Sequence, residues 1–255
     1  MAEPLLRVAG VTKRFGGFQA LAGIDLQVEA GEIVGLIGPN GSGKTTLINV
    51  ISGLLPASGG EVWVGGEPMA GLPPHRRAAR GVNRTFQVPK PFGTLTVRQN
   101  LEVAVHGMGG PVDLDALLDS VELGAASGRR AAELTSVQQK MLDLARALAT
   151  RPRLLLVDEL ACGLNPVELE RIALRLRALA VDGLGLVVVE HLMSFIGRIT
   201  HRVVVMSAGR AIFGGALRDA VRDQQVVEVF LGVPEVFPGG TPDPHAAAAA
   251  RTGAA

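Results

Sequence analysis

Ile33-Val34-Gly35-Leu36-Ile37, followed by Gly38-Pro39-Asn40-Gly41-Ser42-Gly43-Lys44-Thr45-Thr46, is the stretch on which the fold turns. An unbroken apolar run of this kind reads as a strand buried on both faces. The glycine-rich segment after it lets successive backbone N–H groups turn inward. A helix beginning near Lys44 adds the partial positive charge of its N-terminus. Strand, loop and helix in this order make a phosphate-binding loop. Lys44 would reach the outer phosphates of a nucleotide, and the Thr45 hydroxyl would hold Mg2+.

Leu154-Leu155-Leu156-Val157-Asp158-Glu159 is the second decisive run: an apolar strand that ends in two carboxylates. Downstream of a phosphate loop, Asp158 is placed to hold the Mg2+ water shell, because α/β sheets bind ligands at the carboxyl ends of their strands. Glu159 can then polarise an attacking water as general base.

Outward from these motifs, strand-like runs fall at 5–11, 24–28, Ile33–Ile37, 61–64 and 82–86. Others fall at Leu154–Asp158, 186–190, 202–206 and 210–213, with helical patterns between. This alternation predicts an α/β fold, a P-loop NTPase (RecA-like) parallel sheet core with an antiparallel β subdomain built from the early strands. A short helical subdomain is expected at about 89–150, with 89–110 rich in loop and 112–149 helical. The clearest helix follows Asn165, which caps it, with Pro166 in the first turn and Glu168 at the capping-box position. Residues 238–255, rich in Pro, Gly, Thr and Ala, read as a disordered tail.

Composition narrows the class. Of the 255 residues 47% are hydrophobic and 19% charged, enough for a sizeable core, and the net charge of +1 gives no drive toward nucleic acid. His75, Arg76, Arg77, Arg80 and Arg84 form a basic cluster without interleaved aromatics, which reads as the solvated face of a short helix. No nucleic-acid partner is expected. The single cysteine, Cys162, permits no internal disulfide and reads as a small buried residue in a reducing cytosol. No apolar run approaches the roughly 18–20 residues that span a bilayer, and the start lacks a signal-peptide pattern. A soluble chain is expected, with any membrane role carried by a partner.

Taken together, these motifs closely resemble those of ABC ATPases, over 5–232. The resemblance implies roles for further residues. Phe15 would stack on adenine where tyrosine is usual. Gln87, in Asn83-Arg84-Thr85-Phe86-Gln87, is similar to the glutamine that touches Mg2+ and the water, and His191 to the switch histidine at the γ-phosphate. Gly163-Leu164-Asn165-Pro166 resembles the loop that crosses a dimer interface. Thr135, Ser136, Val137 and Gln138 occupy the signature that faces a partner's ATP, normally Ser-Gly-Gly-Gln after leucine. Val137 would set a β-branched side chain near that phosphate and weaken the composite site. A second departure is Leu160, where proline is usual.

The implied cofactors are ATP and Mg2+. The implied partners are integral membrane permease subunits, a second ABC ATPase subunit (a sister chain or a copy of itself) and, indirectly, a periplasmic or extracellular solute-binding protein. The implied location is the cytoplasmic face of a bacterial cell membrane. Arg84-Thr85-Phe86-Gln87, Pro91-Phe92, Leu95-Thr96-Val97 and Phe230-Leu231-Gly232 resemble ATPases of branched-chain amino-acid importers. Two alternatives stay open: a regulatory subunit that binds ATP with little hydrolysis, and the ATPase of a lipid-export system.

Overall fold

The computed structural model describes residues 3–106 and 111–231. The tail expected at 238–255 and Gly232 lie outside the described residues, as do 107–110. In chain order the elements begin with β1 (Leu6–Phe15), β2 (Phe18–Val28), β3 (Ile33–Ile37), α1 (Lys44–Ile51), β4 (Gly59–Val64), β5 (Glu67–Pro68), α2 (Pro74–Ala79) and β6 (Val82–Arg84). Then come α3 (Val97–Val105), α4 (Leu114–Ser120), α5 (Ser136–Ala149), β7 (Leu154–Asp158), α6 (Pro166–Val181) and β8 (Gly185–Val189). Last are α7 (Met193–Ile199), β9 (Arg202–Ser207), β10 (Arg210–Gly215), α8 (Leu217–Ala220) and α9 (Gln224–Leu231).

Two sheets organise these elements. The first is antiparallel, in the order β2-β1-β4-β5; the second has six strands in the order β10-β9-β3-β8-β7-β6. In the second, β6, β7, β8, β3 and β9 run parallel and only β10 reverses. Every residue of β3, β7 and β8 is buried. Their side chains alternate between two cores, as the two-residue period of a strand requires. Ile33, Leu155, Val157, Leu186 and Val188 face the helices, whereas Val34, Leu36, Leu156, Val187 and Val189 face α1 and the antiparallel sheet. The carboxyl ends of β3, β8 and β7 therefore lie side by side at one edge, with the phosphate loop, His191 and Glu159 following them.

Several expectations need correction. The loop-rich stretch 89–110 contains α3, because Thr96 and Gln99 form a reciprocal capping box that starts a helix there. The helix expected across 112–149 is broken: α4 ends at Ser120, two short 3-10 turns follow, and α5 restarts from Thr135. Glu122 takes a φ of 60° in that gap. The strand expected to reach Phe86 stops at Arg84.

Nor is the basic cluster wholly solvated. Arg77 is buried and donates to the carbonyls of Val50 (2.7 Å), Ile51 (2.7 Å), Met69 (2.7 Å) and Leu72 (3.1 Å). Two of these acceptors end α1, where a helix leaves carbonyls unpaired and favours positive charge. Arg77→Met removes all four bonds and orphans buried carbonyls, at about 1.5–3 kcal/mol for each charge-assisted bond before relaxation. We expect a net loss of about 3 kcal/mol in urea unfolding. A loss below about 1 kcal/mol would show that water reaches those carbonyls instead.

Candidate functional site

The phosphate loop is pre-formed. Gly38 and Gly43 take φ values of 146° and 104°, and a β-carbon on Gly38 would stand 2.1 Å from the Met206 carbonyl oxygen. Only glycine fits both demands. Lys44 Nζ donates to the carbonyls of Gly38 at 2.8 Å and Pro39 at 2.9 Å, so the ammonium lies inside the loop it would serve. Burial pulls its pKa down, against the opposing pull of Glu159 and Asp158. A buried lysine with only neutral oxygen partners gains most from an arriving phosphate.

Beside it, β7 delivers the two carboxylates into different settings. Asp158 is buried and accepts from Arg84 Nη2 at 3.1 Å. Burial raises its pKa and Arg84 opposes the rise. Arg84 is held in turn by Asn49 Oδ1 at 2.5 Å and lies 4.6 Å from the Phe86 ring centroid. Glu159 leaves the strand with φ 48°, a left-handed conformation rare for a residue with a side chain. One carboxylate oxygen accepts from Gln87 Nε2 at 2.6 Å; the other is 2.9 Å from His191 Nε2. An ionised Glu159 selects the Nε2–H form of that histidine. Glu159, Gln87 and His191, far apart in the chain, are thus brought into one hydrogen-bonded group.

A cavity of about 350 Å3 opens on this group, lined by Asn40, Gly41, Gly43, Lys44, Thr45 and Thr46 from the loop and by Glu159 and His191 opposite. Phe15 forms its third wall with Phe18, across a two-residue hairpin turn. Ser42 is buried beneath the loop. The signature residues do not reach this cavity. Thr135 and Gln138 form the capping box of α5, with Thr135 Oγ1 accepting from Gln138 N at 3.2 Å. Val137 and Gln138 line a separate cavity of about 180 Å3 with Met141, Leu164 and Ile172.

Sequence reasoning missed four residues here. Phe18 had a signal, since Phe15-Gly16-Gly17-Phe18 sets two aromatics opposite each other across a turn. Arg84 had one too: an arginine within a buried strand needs a carboxylate. Lys140 had none. It donates to the carbonyls of Glu159 at 2.9 Å and Cys162 at 2.7 Å and so fastens α5 to the turn after β7. Cys162 itself is exposed, contrary to expectation, because that turn projects from the sheet edge.

Glu190, the fourth, is buried at the end of β8 and accepts from Ala161 N at 2.5 Å. Burial raises its pKa above the ordinary 4.5, against the pull of the Ala161 and His191 amides. A raised carboxyl pKa means that the folded state holds its proton more tightly, so stability falls as pH climbs from the ordinary value to the folded one. Glu190→Gln keeps an oxygen acceptor for Ala161 and removes the buried charge. The variant should gain stability relative to the native chain as pH rises above 4.5, up to a plateau, in unfolding midpoints followed across that range. A gap that narrows with rising pH would contradict the assigned direction.

Comparison with known proteins is consistent with this geometry. The family profile described as ABC transporter matches residues 21–161. The high-affinity branched-chain amino acid transport ATP-binding protein BraF of Pseudomonas aeruginosa is 35% identical, over 91% of this chain and 99% of its own. The probable branched-chain amino acid transport ATP-binding protein LivG of Archaeoglobus fulgidus is 34% identical, over 89% of this chain and 95% of its own. Among solved structures, an ABC transporter ATP-binding cassette in its ADP conformation superposes with a TM-score of 0.82 at 30% identity, covering 91% of this chain and 100% of that one. A dimeric cassette in a post-hydrolysis state bound to ADP and Pi gives 0.76 at 26%, covering 84% and 99%. With its phosphate loop, its paired carboxylates and matches of this extent, the chain belongs to the ABC transporter family.

Proposed function

We propose that this chain is the ATP-hydrolysing subunit of an importer of branched-chain amino acids, or of a related amino acid or amide, acting on the cytoplasmic face of a bacterial membrane. The observation that carries the reading is Glu159, held between Gln87 and His191 on the wall of the phosphate-loop cavity. The names of the relatives supply the cargo class.

ATP would enter with its adenine against Phe15 and Phe18 and its phosphates on the N–H groups of residues 40–46. Lys44 would exchange the Gly38 and Pro39 carbonyls for the outer phosphates. The Thr45 hydroxyl, the Asp158 carboxylate and the Gln87 amide oxygen are hard oxygen donors. They suit Mg2+, which needs few protein ligands when phosphates and water complete its shell. Bound there, Mg2+ would neutralise charge on the phosphates. Glu159 would take the proton of the attacking water, with His191 and Gln87 fixing its carboxylate. The N–H groups of Ser136 and Val137 at the start of α5 would face the ATP of a second cassette, a sister chain or a copy of this one.

Val137 lines an intrachain cavity with Met141 and Ile172. Its side chain thereby has a place within its own subunit, which supports an active cassette over a purely regulatory one. We assign residues 89–150 to a helical subdomain within a cassette spanning 5–232, and the permease to the loop 88–94. In that loop Val88 is 69% exposed and Phe92 46%, next to Gln87. A solute-binding protein would engage only the permease.

Two measurements test this. In vesicles carrying the permease and this chain, ATP-driven uptake of radiolabelled leucine should fall to background in Lys44→Ala, with ATP affinity reduced about a hundredfold. Undiminished uptake would remove Lys44 from the mechanism. A wild-type assembly that hydrolyses ATP yet accumulates no branched-chain amino acid would sink the cargo assignment. Separately, a photocrosslinker at position 92 should capture the permease; capture of intrachain neighbours alone would remove loop 88–94 as its seat.

A further inference from the structure

Arg84 is a cation on a strand face that is otherwise apolar. The two-residue period of a strand puts it on the side of β6 that carries Val82, and the register sets it beside Leu156 of β7. That face packs against α1, and Asp158 follows Leu156 on it. Every nitrogen of the buried guanidinium is engaged there. Nη2 donates to Asp158 Oδ2 at 3.1 Å, Nη1 to Asn49 Oδ1 on α1 at 2.5 Å, and Nε to the Thr85 carbonyl at 3.1 Å. Its Cζ lies 4.6 Å from the ring centroid of Phe86, the residue before Gln87.

Stability alone gives no reason for this pair. Two charges taken out of water cost about what their attraction returns, and apolar side chains of similar volume often stabilise as well. An apolar pair would not, however, fix a carboxylate. The bond from Arg84 commits Oδ2 and leaves Oδ1, which accepts from none of the described residues. Nor is Oδ1 sealed in: among the described residues, the enclosed polar side-chain atoms without a partner are Arg146 Nε and Arg175 Nε. Thr85 adds a second hold, its Oγ1 accepting from Asp158 N at 3.1 Å. One oxygen of Asp158 is thus restrained and the other kept for use.

The bridge has a second end. Asn49 stands one turn after Thr45 on α1, and residues four apart share a helix face. Arg84 therefore spans the gap between the helix that carries the Thr45 hydroxyl and the strand that carries Asp158, three residues before Gln87. These three residues supply the oxygen donors assigned above to Mg2+. That ion demands near-ideal octahedral geometry, whereas Ca2+ tolerates longer and more variable distances, so telling them apart requires donors held at a fixed separation. We propose that Arg84 is a positioning residue that sets this separation, and with it the preference of the site for Mg2+ over Ca2+. The proposal rests on Thr45 and Asp158 being metal donors and adds what holds them in place. Partners one step removed from a metal are worth about 10–100-fold in its affinity.

The test uses the purified full chain saturated with AMP-PNP, a non-hydrolysable ATP analogue. Mn2+ is titrated in and followed by electron paramagnetic resonance, and Mg2+ or Ca2+ is then added as competitor. Arg84→Met should weaken Mn2+ binding about tenfold and lower the preference for Mg2+ over Ca2+ by a similar factor. Metal-free AMP-PNP affinity should stay within about twofold, which shows that the variant folds and keeps its phosphate loop. Arg84→Lys keeps the charge but cannot reach Asp158 and Asn49 together, so it should recover part of the Mn2+ affinity and less of the preference. Asn49→Ala removes only the α1 end of the bridge and should lower the preference too; it decides the question if Arg84→Met does not fold. An unchanged preference in the deciding variant would overturn the proposal, as would an equal loss of metal-free AMP-PNP affinity. Asp158→Asn separates this from the assignment beneath it. Native Mn2+ affinity in that variant would remove Asp158 as a donor, whereas a loss there without one in Arg84→Met would remove only the role of Arg84.

Discussion

The turn out of β7 is the constraint on which the site depends. Glu159 must leave a fully buried strand and aim its carboxylate back over the phosphate loop, and it does so with a φ of 48°. For a residue with a β-carbon, that conformation costs about 1–2 kcal/mol, so other bonds must over-determine it. Its N–H donates to the Val189 carbonyl at 2.9 Å, its own carbonyl accepts from Lys140, and its carboxylate is shared by Gln87 and His191. Four residues from three separate parts of the chain thus fix one residue. Strain held in this way at a chemical centre is a form of pre-organisation.

From the segment around Gln87, connections run into the helices. Phe86 N donates to Asp143 Oδ2 on α5 at 2.8 Å, and Arg146, one turn on, donates to the Lys90 carbonyl at 3.1 Å. The Phe92 ring lies 5.1 Å from that guanidinium, and the Phe92 N–H donates to the fully buried Asn100 of α3 at 2.8 Å. The exposed loop after Gln87 is therefore tied at three points to α3 and α5. A displacement of Gln87 would pull on α5 through ordinary hydrogen bonds.

Much of this was legible in the residues. The strands Ile33–Ile37 and Leu154–Asp158 were expected to the residue, because a buried parallel strand is an unbroken apolar run with sharp ends. Asn165, Pro166 and Glu168 start α6 as their capping chemistry requires. What escaped notice depended on partners distant in sequence. Arg77 and Arg84 look alike in a basic cluster, yet one caps α1 and the other neutralises Asp158. Arg84 at least sits in a strand, but nothing local separates Arg77 from the exposed Arg76. Lys140 reaches carbonyls that exist as acceptors only once the turn after β7 has formed. The helix α3 was missed because Pro89, Pro91 and Gly93 just before it signal loop, while its start rests on the Thr96 and Gln99 capping pair.

Hydrolysis at this site would rest on Glu159. The most direct measurement compares ATP binding and steady-state turnover of the native chain and of Glu159→Gln, with the permease present. The amide keeps the size of the side chain and its contact with His191 but cannot take a proton. ATP affinity should stay within about threefold, and turnover should fall by about 10²–10⁴. Turnover close to native in Glu159→Gln would contradict the account and move the general base elsewhere.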